Sequence, residues 1–360
     1  MKRSLALSAI VLVVAAGCGG GGSSNNASGT TTEAQKAGSD VRVGLVTDVG
    51  GLNDRGFNHL SYVGLLRAQR ELGIQQRVYQ AKSTQEYVPN LSTFARQGYD
   101  LTIGVGFTEA TAIDTAAHNF PDSKFAIVDV DQTQEPHKPP NLLGLLFREQ
   151  ETGYLVGYLA ALEEKRRPGP DVISSVGGQK QPPVDRFIAG YQAGARAADP
   201  GIKLLNAYSQ DFTDQAKCKT IALNQIEQGS GAVFQVAGGC GLGALDAAKE
   251  KGVWGIGVDA DQSFLGPHIL TSAVKRVDTA VFVAIEKVVK GQFKGGNLIF
   301  GLKDNGVAIG KISPKVPEAD VAKVNQVRAD IISGKTPDQA AASYQDALVK
   351  AVGADKVAGG

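Results

Sequence analysis

Apolar and polar positions along this chain follow a repeating schedule: a short apolar run, a polar turn, then a longer stretch with helical spacing. Residues 41–48 open with small and β-branched side chains, the pattern of a buried parallel strand. Val49-Gly50-Gly51 follows, where glycine admits a backbone path that other residues resist. Asn53 or Asp54 is placed to cap a helix running from Phe57 to about Leu72. Further strands are predicted at 76–79, 101–105, 124–128 and 142–147, with helices at 87–97, 109–119 and 153–162. A basic, proline-containing break at 165–170 separates this half from a second. There the strands are 171–176, 203–208, 232–236, 254–258 and 269–273, and the helices 184–198, 215–228, 244–251 and 278–290. Residues 298–310 alternate like a hairpin, and 321–332 read as a closing helix. Patterning alone therefore predicts two doubly wound α/β lobes.

Length and composition agree with that picture. The 360 residues suffice for two domains with separate cores. A net charge of +1, with acids and bases interspersed, gives no nucleic-acid footprint. Forty-five glycines suit a chain with many strand-to-helix turns. The four histidines are scattered without ligand spacing, so neither a metal site nor a cofactor is expected.

The amino-terminal stretch differs in kind. Lys2 and Arg3 precede an apolar run, 5–16, too short to span a bilayer. It ends in Ala15-Ala16-Gly17-Cys18, which resembles a bacterial lipobox, with Ala15 where leucine is usual. The resemblance implies a signal peptide at 1–18 and lipidation of Cys18; an ordinary secretory signal is the alternative. Residues 19–40 are Gly/Ser/Asn/Thr-rich and read as a flexible tether. The expected location is extracytoplasmic, anchored to the cell membrane. In such an oxidising compartment Cys218 and Cys240 are candidates to pair, two separate buried thiols being the alternative.

The chemistry-bearing side chains cluster at strand ends. Asp48, Phe57 and Asn58 flank the first turn and form one jaw of a small-molecule site. Asp129 and Asp131 end another strand, and Asp259 another, where a helix cap is the plainer role. Phe212 lies among polar neighbours in Ser-Gln-Asp-Phe-Thr-Asp-Gln, an unnatural place for a core residue.

The lipoprotein start, VTDVGGLNDRGFN, FAIVDVD, VFQVAGGCG, WGIGVDADQ and LTSAVKR together resemble the basic membrane protein family of ABC-transporter substrate-binding lipoproteins, which includes PnrA-like nucleoside receptors. The resemblance implies a type I periplasmic-binding fold, with a nucleoside, usually a purine, held between the lobes. It assigns the stacking rings to Phe57 and Phe212. Asp48, Asn58 and Asp129 would bind the base edge or nearby hydroxyls, and Asp259 and Lys275 the ribose, with backbone at Gly238 and Gly239. It divides the chain into an N-terminal lobe at 41–147, returning at about 274–300, and a C-terminal lobe at 148–273 with about 301–345. A tail follows at 346–360. It also implies an ABC permease and its ATPase as partners, a monomer, and no catalysis. A nucleoside suits such groups: its face stacks on aromatics, and its diol suits charge-assisted bonds to a carboxylate.

Other readings compete. A sugar or autoinducer-type ligand would use the same fold, and a surface adhesin or signalling receptor would need no transporter. Gly239-x-Gly241-x-x-Ala244, after a strand and before a helix, also matches a dinucleotide fingerprint and allows an exported oxidoreductase.

Overall fold

A computed structural model describes residues 40–335. The expectations for the signal peptide, Cys18, almost all of the tether and the tail lie outside those residues.

The first lobe contains strands β1 (Arg42–Thr47), β2 (Gln75–Gln80), β3 (Leu101–Val105), β4 (Phe125–Val128) and β5 (Leu142–Phe147). Its helices are α1 (Phe57–Leu72), α2 (Tyr87–Arg96) and α3 (Ala110–Asn119). The second contains α4 (Glu149–Glu164), β6 (Val172–Gly177), α5 (Pro182–Ala198), β7 (Lys203–Tyr208) and α6 (Gln215–Glu227). It continues through β8 (Ala232–Val236), α7 (Gly238–Lys251), β9 (Trp254–Asp259) and β10 (Ile269–Lys275). The chain then returns to the first lobe as α8 (Val277–Val289) and β11 (Gly296–Phe300). It ends in the second as β12 (Val307–Ile309) and α9 (Glu318–Ile332).

The first sheet has the order β11-β5-β4-β3-β1-β2 and is parallel throughout. The second has the order β12-β10-β9-β8-β6-β7 and is parallel except for β12 against β10. Each sheet reverses its winding once, beside β1 in the first and β6 in the second, which opens a crevice at the carboxyl ends of the strands. The central strands are buried on both faces; every residue of β3, β4, β6 and β8 is buried. That is why they read as mainly apolar runs rather than strict alternations, with Thr102, Ser174, Ser175 and Gln235 as buried polar interruptions.

The hairpin expected at 298–310 does not form. β11 pairs with β5 in one lobe and β12 with β10 in the other. Alternation reports a half-buried strand but not its partner, and the 301–306 segment between the two crosses from lobe to lobe. Two helices also begin earlier than patterning indicates, α4 at Glu149 and α7 at Gly238. The glycine run opening α7 looks like loop, yet a Cβ at Gly241 would fall 1.7 Å from Gln235 Oε1 and one at Gly243 1.9 Å from the Gln215 carbonyl oxygen. Close packing on β8 and α6 demands those glycines, so they have a structural use and do not mark a pyrophosphate loop.

Three hydrophobic clusters hold the layers. One lies beneath α2 and α3, around Phe94, Ile113 and Phe125. Another lies beneath α6 and α7 and contains the disulfide joining Cys218 to Cys240, whose Cα atoms are 5.6 Å apart. The largest runs from α1 and α8 of the first lobe into α4 and α5 of the second.

Candidate functional site

The turn after β1 is built by two carboxylates. Asp54 accepts from the backbone N–H groups of Gly56, Asn58 and His59 and so caps α1 from outside the helix. Asn53 has no part in that cap. Asn58, almost wholly buried, donates through Nδ2 to Asp48 Oδ1 at 2.7 Å and to Asp54 Oδ2 at 3.1 Å. Its Oδ1 accepts from the Asp48 N–H at 3.2 Å. Both amide hydrogens are therefore engaged, and Asn58 serves to fix Asp48. Burial pushes the Asp48 carboxyl up to about 6, against the opposing pull of Asn58 and the Gly50 N–H.

On the other side, Phe212 precedes α6 and its carbonyl accepts from the Cys240 N–H at 2.9 Å, tying it to the first turn of α7. Gly238, at φ 53°, occupies the left-handed region that glycine tolerates, and it opens α7 toward the cavity. Its neighbour Gly239 also lines the cavity.

Between these walls lies a buried charge cluster. Lys275, at the end of β10, is 2% exposed and reaches Asp129 Oδ2 of the opposite lobe at 2.7 Å. Glu149 Oε1 is 3.5 Å away and Asp259 Oδ1 4.0 Å. Arg186 approaches Glu149 Oε2 at 2.7 Å, so two cations face three carboxylates. The ammonium also sits 4.9 Å from the ring centroid of Phe57, 5.3 Å from Phe147 and 5.4 Å from Phe187. Burial alone would lower the Lys275 pKa, but Asp129, Glu149 and Asp259 together raise it. Burial raises Asp129, with Lys275 opposing, and pushes Asp259 up to about 7, again against Lys275. Asp129 and Asp259 both hold positive φ, 69° and 62°, at the ends of β4 and β9. Such backbone is uncommon outside glycine and concentrates at functional positions.

All nine ligand-binding residues expected from sequence line one cavity of about 640 Å³, open mouth included: Asp48, Phe57, Asn58, Asp129, Phe212, Gly238, Gly239, Asp259 and Lys275. Asp131 lies elsewhere, its Oδ1 taken by Thr133 and Asn297. Sequence reasoning missed Phe107, Gln181 and Phe187 on the cavity wall, and Glu149 behind it. Glu149 carried a usable signal, being an acid two residues beyond a strand end. Phe187 carried none, since an aromatic inside an amphipathic helix reads as core. Among the described residues no group of side chains has the arrangement of a metal site, and no helix is long and apolar enough to cross a membrane.

Two doubly wound lobes facing each other across such a cavity define a solute-binding protein of the type I periplasmic architecture. A solved solute-binding protein of an ABC transporter system from Aeropyrum pernix matches with a TM-score of 0.76 and 27% identity, over 86% of this chain and 99% of that one. The family model described as ABC transporter substrate-binding protein PnrA-like matches residues 41–339, and the chain belongs to that family. The ABC transporter nucleoside-binding protein BmpA of Lactococcus lactis is 35% identical over 83% of this chain and 89% of its own. An uncharacterized lipoprotein of Pyrococcus horikoshii is 36% identical over 94% of this chain and 84% of its own. The protein is thus a substrate-binding component of an ABC transporter and not an enzyme, which disposes of the oxidoreductase reading. Its partners are a solute and a permease with its ATPase.

Proposed function

We propose that this protein captures a nucleoside, with purines the leading candidates, between its lobes and presents it to an importing permease. The base stacks between Phe57 and Phe212, Asp259 and Lys275 take the ribose hydroxyls with Asp129, and Asp48 meets the base edge. The observation that carries the reading is the convergence, from both lobes onto one cavity, of two phenylalanines and three carboxylates. The Asp259 side chain makes no hydrogen bond among the described residues, so its carboxylate is available to a diol, and a charged acceptor binds hydroxyls more strongly than a neutral one. The nucleoside-binding relative in Lactococcus supports the same ligand class. Capture shifts an open–closed equilibrium of the lobes, and the permease reads the closed form. The chain acts as a monomer outside the cytoplasm, held to the membrane by lipid on Cys18.

Calorimetric titration with inosine, guanosine, adenosine and cytidine, with D-ribose as control, tests the ligand class. Saturable binding of at least one nucleoside is expected, and silence toward all four would overturn the proposal. Labelled palmitate should enter the protein in cells and be lost in Cys18→Ser; incorporation that survives the substitution would remove the anchor.

A further inference from the structure

We infer that Asp48 Oδ2 selects nucleosides whose base edge carries a ring N–H beside a carbonyl, as in inosine, guanosine and uridine, over those presenting a bare ring nitrogen, as in adenosine and cytidine. The inference rests on the nucleoside reading above and adds to it the chemistry of the preferred base.

The geometry leaves one polar atom of this jaw unengaged. Asp48 Oδ1 accepts from the Gly50 N–H at 2.8 Å and from Asn58 Nδ2 at 2.7 Å. Asn58 cannot turn its amide over, because Oδ1 would then oppose Asp48 and Asp54 while Nδ2 met the Asp48 N–H. Asp48 Oδ2 has no hydrogen-bond partner among the described residues, and the residue lines the cavity. Gly106 brings that oxygen and the stacking ring to the same spot: a Cβ built there would lie 3.4 Å from Asp48 Oδ2 and 3.0 Å from Phe57 Cε1. A base lying on Phe57 can therefore bring an edge within reach of Oδ2.

What Oδ2 asks of that edge depends on its proton. The ionisable groups acting on Asp48 are Asp54 from its own loop, Glu109 beyond β3 and Tyr87 from α2; each is an acid, and none supplies a positive charge. With the carboxyl near 6, Asp48 is ionised at pH 8 and only accepts, so a ring N–H is favoured and a bare nitrogen meets lone pair against lone pair. Protonated at pH 5, it can donate to a bare nitrogen. Asp129 and Asp259 titrate too, but they face the sugar common to every nucleoside. The affinity ratio within a pair of nucleosides cancels their effect.

Calorimetry at pH 8 and pH 5 with inosine against adenosine, and uridine against cytidine, decides the matter. At pH 8 the N–H partner of at least one pair should bind about tenfold tighter or more, as for a hydrogen bond to a charged group. At pH 5 that ratio should fall toward one. Asp48→Asn, whose carbonyl oxygen is held in the Oδ1 place by the Gly50 N–H and Asn58 Nδ2, turns only its NH2 toward the base and should reverse the preference, toward adenosine and cytidine, at both pH values. The wild-type comparison stands even where the variant misfolds. Ratios equal at both pH values, or a preference retained in Asp48→Asn, would overturn the inference while leaving nucleoside binding intact. Binding of none of the four at either pH would instead overturn the nucleoside reading itself.

Discussion

Replacing Lys275 with methionine should destabilise the protein by about 3–5 kcal/mol at neutral pH, the range for removing one partner of a buried ion pair. Methionine keeps most of the length and all of the burial but removes the charge. Asp129, Glu149 and Asp259 would then share a buried space with Arg186 as their remaining cation. Acid should lessen the defect. Asp259 and Asp129 already have pKa values raised by burial, and losing their chief opposing charge raises them further. In the variant those carboxyls therefore hold protons at higher pH, and the gap from wild type narrows as pH falls below about 7. The wild-type contribution of Lys275 has the opposite boundary. Its pKa is raised above 10.5, so that contribution is complete below 10.5 and fades as pH climbs through the folded value. Urea unfolding at pH 7.5 and pH 5 measures the loss and its relief by acid. A loss under about 0.5 kcal/mol at pH 7.5, within the range of an ordinary surface substitution, would show that the cluster is not held by this lysine.

At pH 8, where a carboxyl raised to about 7 is mostly ionised, Asp259→Ala should weaken nucleoside binding by about a hundredfold or more. Two hydrogen bonds to a charged acceptor contribute about 1.5–3 kcal/mol each, and each 1.4 kcal/mol is tenfold in affinity. The fold itself should tolerate the change, because the Asp259 side chain makes no hydrogen bond among the described residues and lies 4.0 Å from Lys275. Removing it also relieves repulsion with Asp129, one of the influences that raise its pKa. Affinity and stability are thereby separable. Asp246→Ala is a suitable control, since that exposed carboxylate pairs with Lys219 on the outer surface. If the two variants bind nucleoside equally well, Asp259 has no place in the site.

Most of the architecture was legible because buried parallel strands are written as short apolar runs, and their ends are marked by Gly and Asp. β3, β4, β8 and β9 are the clearest cases. Pairing across the lobes was not legible: nothing local in 298–310 says that β11 and β12 belong to different sheets, since their partners lie 153 and 32–36 residues back. The glycines of α7 misled for a related reason. Their helical conformation is imposed by contacts with Gln235 and Gln215, and propensity alone reads Gly-Gly-Cys-Gly-Leu-Gly as loop. In the site, the strand-end acids Asp48, Asp129 and Asp259 could be picked from position. Lys275 could not, because its burial among three carboxylates is a tertiary fact; only the family resemblance nominated it. Glu149 escaped both routes, and so did the engagement of Asn58 with Asp48 and Asp54.

The chain passes between the lobes three times, after Phe147, after Lys275 and after Phe300. These passages are bonded to one another: Arg148 N–H to the Phe300 carbonyl at 2.9 Å, and Arg276 N–H to the Gly306 carbonyl at 2.8 Å. A triple strap of this kind resists shear and twist and leaves bending as the easy motion. Glu149 lies two residues beyond the first passage and Lys275 is the last residue before the second, so the charged floor of the cavity and the pivot are one piece of backbone. If the proposed cargo draws on that lysine, its pull would act where the lobes are joined, with no relay through either sheet needed to carry it.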